Sequence, residues 1–157
     1  MGLLDRLRRR RAAPPLEYAD DGSLTVLLVA DDAARSDTAV LAEASERGVD
    51  LTPPLLVRHH LVALPDAAAV ERARVLLGQD GYTLTVGEGP PYAVRAWRTQ
   101  VLTPLAAAQE RSRMAGLAQR LGGDVAGYDV LGPPGEQQPG EQQPGEQQPA
   151  EERGPRG

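Results

Sequence analysis

The chain has 157 residues, which is enough for one domain of ordinary size with extensions at its ends. It contains no cysteine, so disulfides, thiolate metal sites and cysteine nucleophiles are excluded and a reducing, cytoplasmic location is expected. The formal net charge is −5, and no apolar run is long enough to span a membrane or to serve as a secretory signal.

Charge is unevenly distributed along the sequence. Residues 1–13 hold five Arg against one Asp, whereas residues 14–132 hold ten Arg against sixteen acidic residues. An acidic central region argues against non-specific nucleic-acid binding as the main activity. We therefore expect neither a direct nucleic-acid partner nor a membrane partner.

The first 15 residues form a basic arm that ends at a Pro-Pro pair. Leu3, Leu4 and Leu7 share one helical face, but three leucines provide only weak membrane affinity. We expect a flexible, solvated arm. The domain proper is predicted over residues 16–132.

The domain begins with a strand and a helix that precede the main pattern. Residues 24–30 are an almost wholly apolar run, which predicts a strand. Ser36 or Asp37 is a helix N-cap, and the helix is predicted to end near Arg47, before Gly48. This unit is expected either to extend the sheet or to pair with another subunit.

The main pattern runs from residue 55 to residue 131. A strand over 55–64 is followed by a helix that Asp66 caps, and then by strands over 82–86 and 92–101 joined by a turn at 87–91. Thr103 and Pro104 start another helix, which stops at a glycine pair before a last strand at about 124–131. This order predicts an α+β fold, a ferredoxin-like split βαβ sandwich with an extra N-terminal strand-helix unit.

The last 25 residues contain three copies of Gly-Glu-Gln-Gln-Pro, which begin at Gly135, Gly140 and Gly145. A segment with almost no apolar side chain cannot bury enough surface to offset the entropy of ordering it. Residues 133–157 are therefore predicted to be a disordered tail.

The two histidines are the residues most suited to catalysis or metal binding. His59 and His60 are adjacent on a strand, so they point to opposite faces and cannot chelate one metal together. His59 shares its face with Leu55, Val57, Leu61 and Ala63, so it is predicted to be a buried, hydrogen-bonded histidine. Neither a catalytic motif nor a metal-ligand spacing is present, and we expect a protein that is not an enzyme, with no metal and no cofactor.

The sheet face away from the helices is the best candidate surface. With Leu84, Val94 and Ala96 toward the helices, the other face presents polar and aromatic side chains, namely Arg58, His60, Thr83, Thr85, Arg95, Trp97 and Thr99. A tryptophan beside arginines is a plausible hot spot for a protein partner. Base stacking and a homodimer seam remain as alternatives.

Four segments in order resemble the RraB family, the regulators of ribonuclease activity B, also described as ribonuclease E inhibitors. They are Gly48-Val-Asp-Leu, Val57-Arg-His-His-Leu61, Gly81-Tyr82-Thr-Leu-Thr-Val86 and Gly122-Gly-Asp-Val-Ala-Gly-Tyr128-Asp129. His59 falls on the family histidine. The chain departs from the family at Val125, Ala126 and Arg58, where the family has Tyr, Asp and an acidic residue.

The resemblance implies a non-catalytic protein that binds a ribonuclease E/G-type endoribonuclease and modulates RNA degradation. It assigns structural roles to the family-motif residues, which are His59, Gly81, Tyr82, Gly122, Gly123 and Gly127. Combined with the open sheet face, it predicts a partner-binding set of Arg58, His60, Arg95, Trp97, Tyr128 and Asp129. The alternative is a ferredoxin-like regulatory domain that senses a small metabolite. A homo-oligomer is left open.

Overall fold

The computed structural model describes residues 15–135. The basic arm predicted over 1–15 and the tail predicted over 133–157 lie outside the described residues, apart from their innermost positions. Within the described range, no helix is long and apolar enough to cross a membrane.

Five strands and three helices make up the described chain. The strands are β1 (Thr25–Ala30), β2 (Leu55–Leu64), β3 (Thr83–Val86), β4 (Tyr92–Gln100) and β5 (Asp124–Gly132). The helices are α1 (Asp37–Glu46), α2 (Ala67–Gly78) and α3 (Pro104–Arg120). Every predicted helix and strand is present, with ends that differ by one or two residues.

The strands form a single antiparallel sheet in the order β1-β5-β2-β4-β3. Strands β2 to β5 and helices α2 and α3 have the ferredoxin-like arrangement, which confirms the predicted fold class. Strand β1 pairs with the outer edge of β5. The leading unit therefore extends the sheet of its own chain.

Local capping chemistry sets where each helix begins. The side chains of Ser36, Asp66 and Thr103 each accept a hydrogen bond from the backbone N–H three residues later. Such a bond satisfies one of the N–H groups that the first turn leaves without a partner. Pro104 follows Thr103 at the first helical position, where a missing N–H costs nothing.

The core lies between the helices and one face of the sheet. Val94 and Ala96 are fully buried on that face, and the partly buried Leu84 packs against the same cluster, as predicted. Helix α3 contributes Met114, Leu117 and Ala118 from one stripe. The opposite face of the sheet carries no helix among the described elements.

One residue of β2 does not lie where simple alternation predicts. Ala63 is exposed rather than on the helix-covered face, and its φ is 55°. The pairing of β2 with β4 shifts register between Leu61 and Leu64, so Leu64 takes the buried position instead. The cause is a β-bulge, which inserts an extra residue and reverses the alternation beyond it.

Candidate functional site

Two cross-strand rows define the open face of the sheet. The first row contains Asp129, Arg58, Trp97 and Thr83, and the second contains Gly127, His60, Arg95 and Thr85. Residues directly opposite each other on antiparallel strands have side chains on the same face and within contact distance. The register therefore places five of the six predicted partner-binding residues together, with Tyr128 the exception.

An ion pair between Arg58 and Asp129 occupies the middle of this face. Arg58 donates from Nε and Nη2 to the two carboxylate oxygens, at 2.9 and 2.6 Å. The Asp129 carboxylate also lies 3.2 Å from His60 Nε2. Burial by itself raises the pKa of Asp129, but hydrogen bonds from His60 and Arg58 outweigh it and lower the pKa to about 2. Asp129 is therefore ionised across the physiological range.

The larger side chains of this face that reach solvent are Arg95, His60 and Trp97, and Thr83 is exposed beside them. The Arg95 side chain is 44% exposed and that of His60 is 32% exposed, whereas Arg58 is 13% exposed. Trp97 is half-buried and donates from Nε1 to the Thr85 hydroxyl at 3.3 Å. Arg95, His60 and Trp97 can therefore contact a partner directly. The Arg58–Asp129 pair is less exposed and lies beside them on the same face.

Residues 15–24 cross the open face before β1 begins, and we call this segment the strap. The Tyr18 backbone N–H donates to the Thr99 hydroxyl at 2.7 Å. Arg58 donates from Nη1 to the Asp20 carboxylate at 2.6 Å, and the second Asp20 oxygen lies 3.5 Å from Arg95 Nη1. Sequence reasoning missed the strap, because these partners are far apart in the chain and no local pattern links them.

Two leucines are buried on the face that carries no helix. Leu56 and Leu131 are 0% and 4% exposed, although alternation places both on the open face with Arg58 and Asp129. Leu56 pairs with Thr99, the residue to which Tyr18 is bonded. We attribute the burial of Leu56 to the strap.

Tyr128 lies on the helix-covered face and is 1% exposed. Its hydroxyl donates to the Asp37 carboxylate at 3.0 Å, and the Arg111 guanidinium lies 5.5 Å from its ring centre while also donating to Asp37. Burial and the neighbouring Asp37 raise the pKa of Tyr128. Tyr128 thus anchors β5 to α1 and α3 and has no surface on the open face.

The family histidine belongs to the same buried region. His59 is 1% exposed, its Nε2 lies 3.1 Å from Glu110 Oε2, and its ring is 5.5 Å from that of Tyr128. Glu110 also accepts hydrogen bonds from Gln100 and Arg98. Burial raises the pKa of Glu110, but the bonds from His59, Gln100 and Arg98 outweigh it and lower the pKa to about 2.

Tyr82 completes this buried cluster. It is 5% exposed, and the Arg98 guanidinium lies 4.4 Å from the centre of its ring, within the range of a cation–π contact. Burial and the Glu110 charge raise the pKa of Tyr82. Sequence reasoning did not identify Glu110, although it falls on the buried stripe of α3 between Ala107 and Met114.

The four predicted motif glycines occupy positions that a larger residue fits poorly. Gly81 and Gly122 follow helices at positive φ, where glycine is preferred. An added Cβ at Gly123 would lie 2.6 Å from the Val62 carbonyl oxygen, and one at Gly127 would lie 2.3 Å from the Ala30 carbonyl oxygen. These glycines therefore let neighbouring backbone segments approach closely.

The chemistry that this arrangement supports is recognition. Among residues 15–135, no group of three His, Asp or Glu side chains is placed to hold a metal ion. The buried acids are each committed to arginine, histidine or tyrosine partners. The open face presents Arg95, His60 and Trp97 to solvent, with the exposed Thr83 beside Trp97.

The model of the family described as "Regulator of ribonuclease activity B" matches residues 34–130, well over half of the chain. Comparison with curated proteins and with solved structures finds no match. The matched range includes Tyr128, the buried cluster of His59, Glu110 and Tyr82, and both rows of the open face, but it does not include the strap or β1.

Proposed function

The chain belongs to the RraB family of regulators of ribonuclease activity, and we propose that it binds a ribonuclease E/G-type endoribonuclease through the open face of its sheet. The observation that carries the proposal is the cross-strand cluster of Arg95, His60 and Trp97, which remains accessible beside a buried ion pair. Tryptophan and arginine are the residues most often found at the energetic centre of protein interfaces.

Regulation by this protein requires no catalytic group of its own. A chain docked on the endoribonuclease hinders the access of RNA or the assembly of the enzyme with its other partners. The proposed partner degrades cellular RNA, so the proposal includes a cytoplasmic location for this protein. The departures at Val125 and Ala126 lie at the start of β5, which β2 separates from the Arg95 and Trp97 positions on β4.

The test is direct binding of the full chain to the ribonuclease E/G-type enzyme of the same organism, measured by isothermal titration calorimetry. Arg95→Glu reverses a charge on the proposed surface, and its affinity should fall about tenfold or more. Arg113→Glu is the matched control, because Arg113 is 42% exposed and also pairs with an aspartate, but lies on α3.

The outcomes separate the candidate functions. Binding by the wild-type chain and the Arg113 variant, with loss in the Arg95 variant, supports the proposal. Equal binding by the wild-type chain and both variants would show that the interface lies on another face of the protein. No binding by any chain overturns the proposal, and the metabolite-sensing alternative is then tested by screening small molecules for a rise in melting temperature. Light scattering of the free chain determines whether a homo-oligomer forms.

A further inference from the structure

The strap places one acidic side chain against the basic part of the open face. Asp20 is 5% exposed at its side chain and lies between Arg58 and Arg95. Its Oδ1 atom accepts from Arg58, whereas its buried Oδ2 atom lies 3.5 Å from Arg95 Nη1 and has no hydrogen-bond partner among residues 15–135. A buried carboxylate oxygen without a hydrogen bond is energetically expensive, so this contact is less favourable than the site can provide.

The strap is attached to the sheet by few bonds. Within the described residues, no backbone–backbone hydrogen bond joins 15–24 to a strand, and the pairing of β1 begins only at Thr25. Its polar contacts with the sheet are the hydrogen bonds between Tyr18 and Thr99 and the ion pairs of Asp20 with Arg58 and Arg95. A segment without backbone pairing is expected to open at a lower free-energy cost than a paired strand, although opening also exposes Leu56.

The strap also lies next to the Trp97 part of the surface. Glu17, Tyr18 and Trp97 line one cavity of about 140 Å³. If the strap leaves, Arg95 loses its Asp20 partner and Arg58 keeps only its pair with Asp129. The uncovered face then has an unmatched positive charge beside an aromatic ring.

We propose that the strap is a displaceable internal ligand, and that Asp20 stands where an acidic side chain of the partner protein binds. The identity of that partner rests on the proposed function, but the displacement does not. The strap then competes with the partner for Arg58 and Arg95, so the closed chain binds more weakly than its own surface allows. The strap lies outside residues 34–130, so it is an addition to the part shared with the family model.

The first arm of the test needs no ribonuclease. A fluorescein-labelled peptide of residues 15–24 is titrated with full-length chain, and anisotropy reports binding. Asp20→Asn in the full chain should bind the peptide about tenfold tighter than wild type, because the internal competitor has lost a charge-assisted hydrogen bond. Asp21→Asn is the matched control, since exposed Asp21 bonds only within its own turn, to Ser23, and should behave as wild type.

Two further readouts make this arm decisive. A peptide with the Asp20→Asn change should lose the tighter binding. The only tryptophan of the chain is Trp97, so acrylamide quenching of its fluorescence should increase in the Asp20→Asn chain and not in the Asp21→Asn chain. Equal peptide affinity for the three chains, or quenching unaffected by Asp20→Asn, overturns the inference.

The second arm repeats the titration with the ribonuclease. Tighter binding by Asp20→Asn than by wild type supports the strap as a competitor of the partner. Weaker binding by Asp20→Asn overturns it, because the strap would then be part of the interface. If the peptide arm succeeds and no chain binds the ribonuclease, the displaceable strap is supported and the proposed function is overturned.

Discussion

His59 Nε2 lies 3.1 Å from Glu110 Oε2, and this contact joins the second strand of the sheet to helix α3. Both side chains are buried, and Arg98 and Gln100 bind the same carboxylate from strand β4. A single glutamate thus connects three elements of the domain. Its removal takes a hydrogen-bond partner from His59 on β2 and from Arg98 and Gln100 on β4.

We predict that Glu110→Ala lowers the free energy of unfolding by about 3 kcal/mol, because the buried His59 ring loses its hydrogen-bond partner and the partly buried Arg98 loses a paired carboxylate. Urea denaturation followed by circular dichroism measures the change. Gln109→Ala, at the exposed neighbouring position, is the control and should change stability by less than about 0.5 kcal/mol. Equal effects of the two substitutions would contradict the role assigned to Glu110.

Acid should destabilise the domain in a defined range. The pKa of Glu110 is about 2 in the folded chain against an ordinary 4.5, so the unfolded chain binds more protons between these values. The stabilisation from Glu110 is complete above about pH 4.5 and disappears as the pH falls toward 2, a loss of about 3 kcal/mol. Asp129, with a pKa of about 2, contributes in the same direction.

The comparison that isolates Glu110 is Glu110→Gln, which keeps the shape of the side chain but cannot titrate. Its melting temperature should fall less between pH 5 and pH 2 than that of the wild-type chain. Parallel curves for the two proteins would show that the acid sensitivity arises elsewhere.

The bulge in β2 predicts a substitution that stabilises. Ala63 has a φ of 55°, a conformation that glycine adopts without the steric cost an alanine incurs. Ala63→Gly should raise the free energy of unfolding by about 0.5–1 kcal/mol, even after the added flexibility of the unfolded chain. Ala93→Gly, at an exposed position of β4, should lower it by a similar amount. Destabilisation by both would contradict the bulge geometry.

Two glycine-to-alanine changes should have opposite effects. At Gly127 an added Cβ would meet the Ala30 carbonyl oxygen at 2.3 Å, and φ is 118°, so Gly127→Ala should destabilise by more than about 2 kcal/mol. At Gly116, inside α3, the nearest atom to an added Cβ outside the backbone of the helix is Arg120 Nη1, at 3.7 Å. Gly116→Ala should therefore stabilise by up to about 1 kcal/mol. Thermal melts of the two variants provide the check.

Much of the fold could be predicted from sequence because its signals are local. Each helix start depends on a capping residue, Ser36, Asp66 or Thr103, and on the three residues that follow it. The resulting order of strands and helices predicts the ferredoxin-like arrangement. The bulge at Ala63 could not be predicted, because it depends on how β2 pairs with two neighbouring strands.

The site was predictable only in part. Alternation along β2 and β4 placed Arg58, His60, Arg95 and Trp97 on one face correctly. The same alternation places the neighbours Tyr128 and Asp129 on opposite faces of the sheet. The predicted partner-binding set grouped both in one surface and so did not follow the alternation of β5. The Asp20–Arg58 contact joins positions 38 residues apart, and nothing in the local sequence indicates it.

The most direct measurement is the rate at which the organism's own ribonuclease E/G-type enzyme cleaves a fluorescent RNA in the presence of increasing full-length chain. We expect wild type and Arg113→Glu to slow cleavage with the same concentration dependence. Arg95→Glu and Trp97→Ala should need about tenfold more protein for the same effect. Unchanged cleavage at every concentration of wild-type chain, or equal inhibition by Arg95→Glu and wild type, would contradict regulation through the open face.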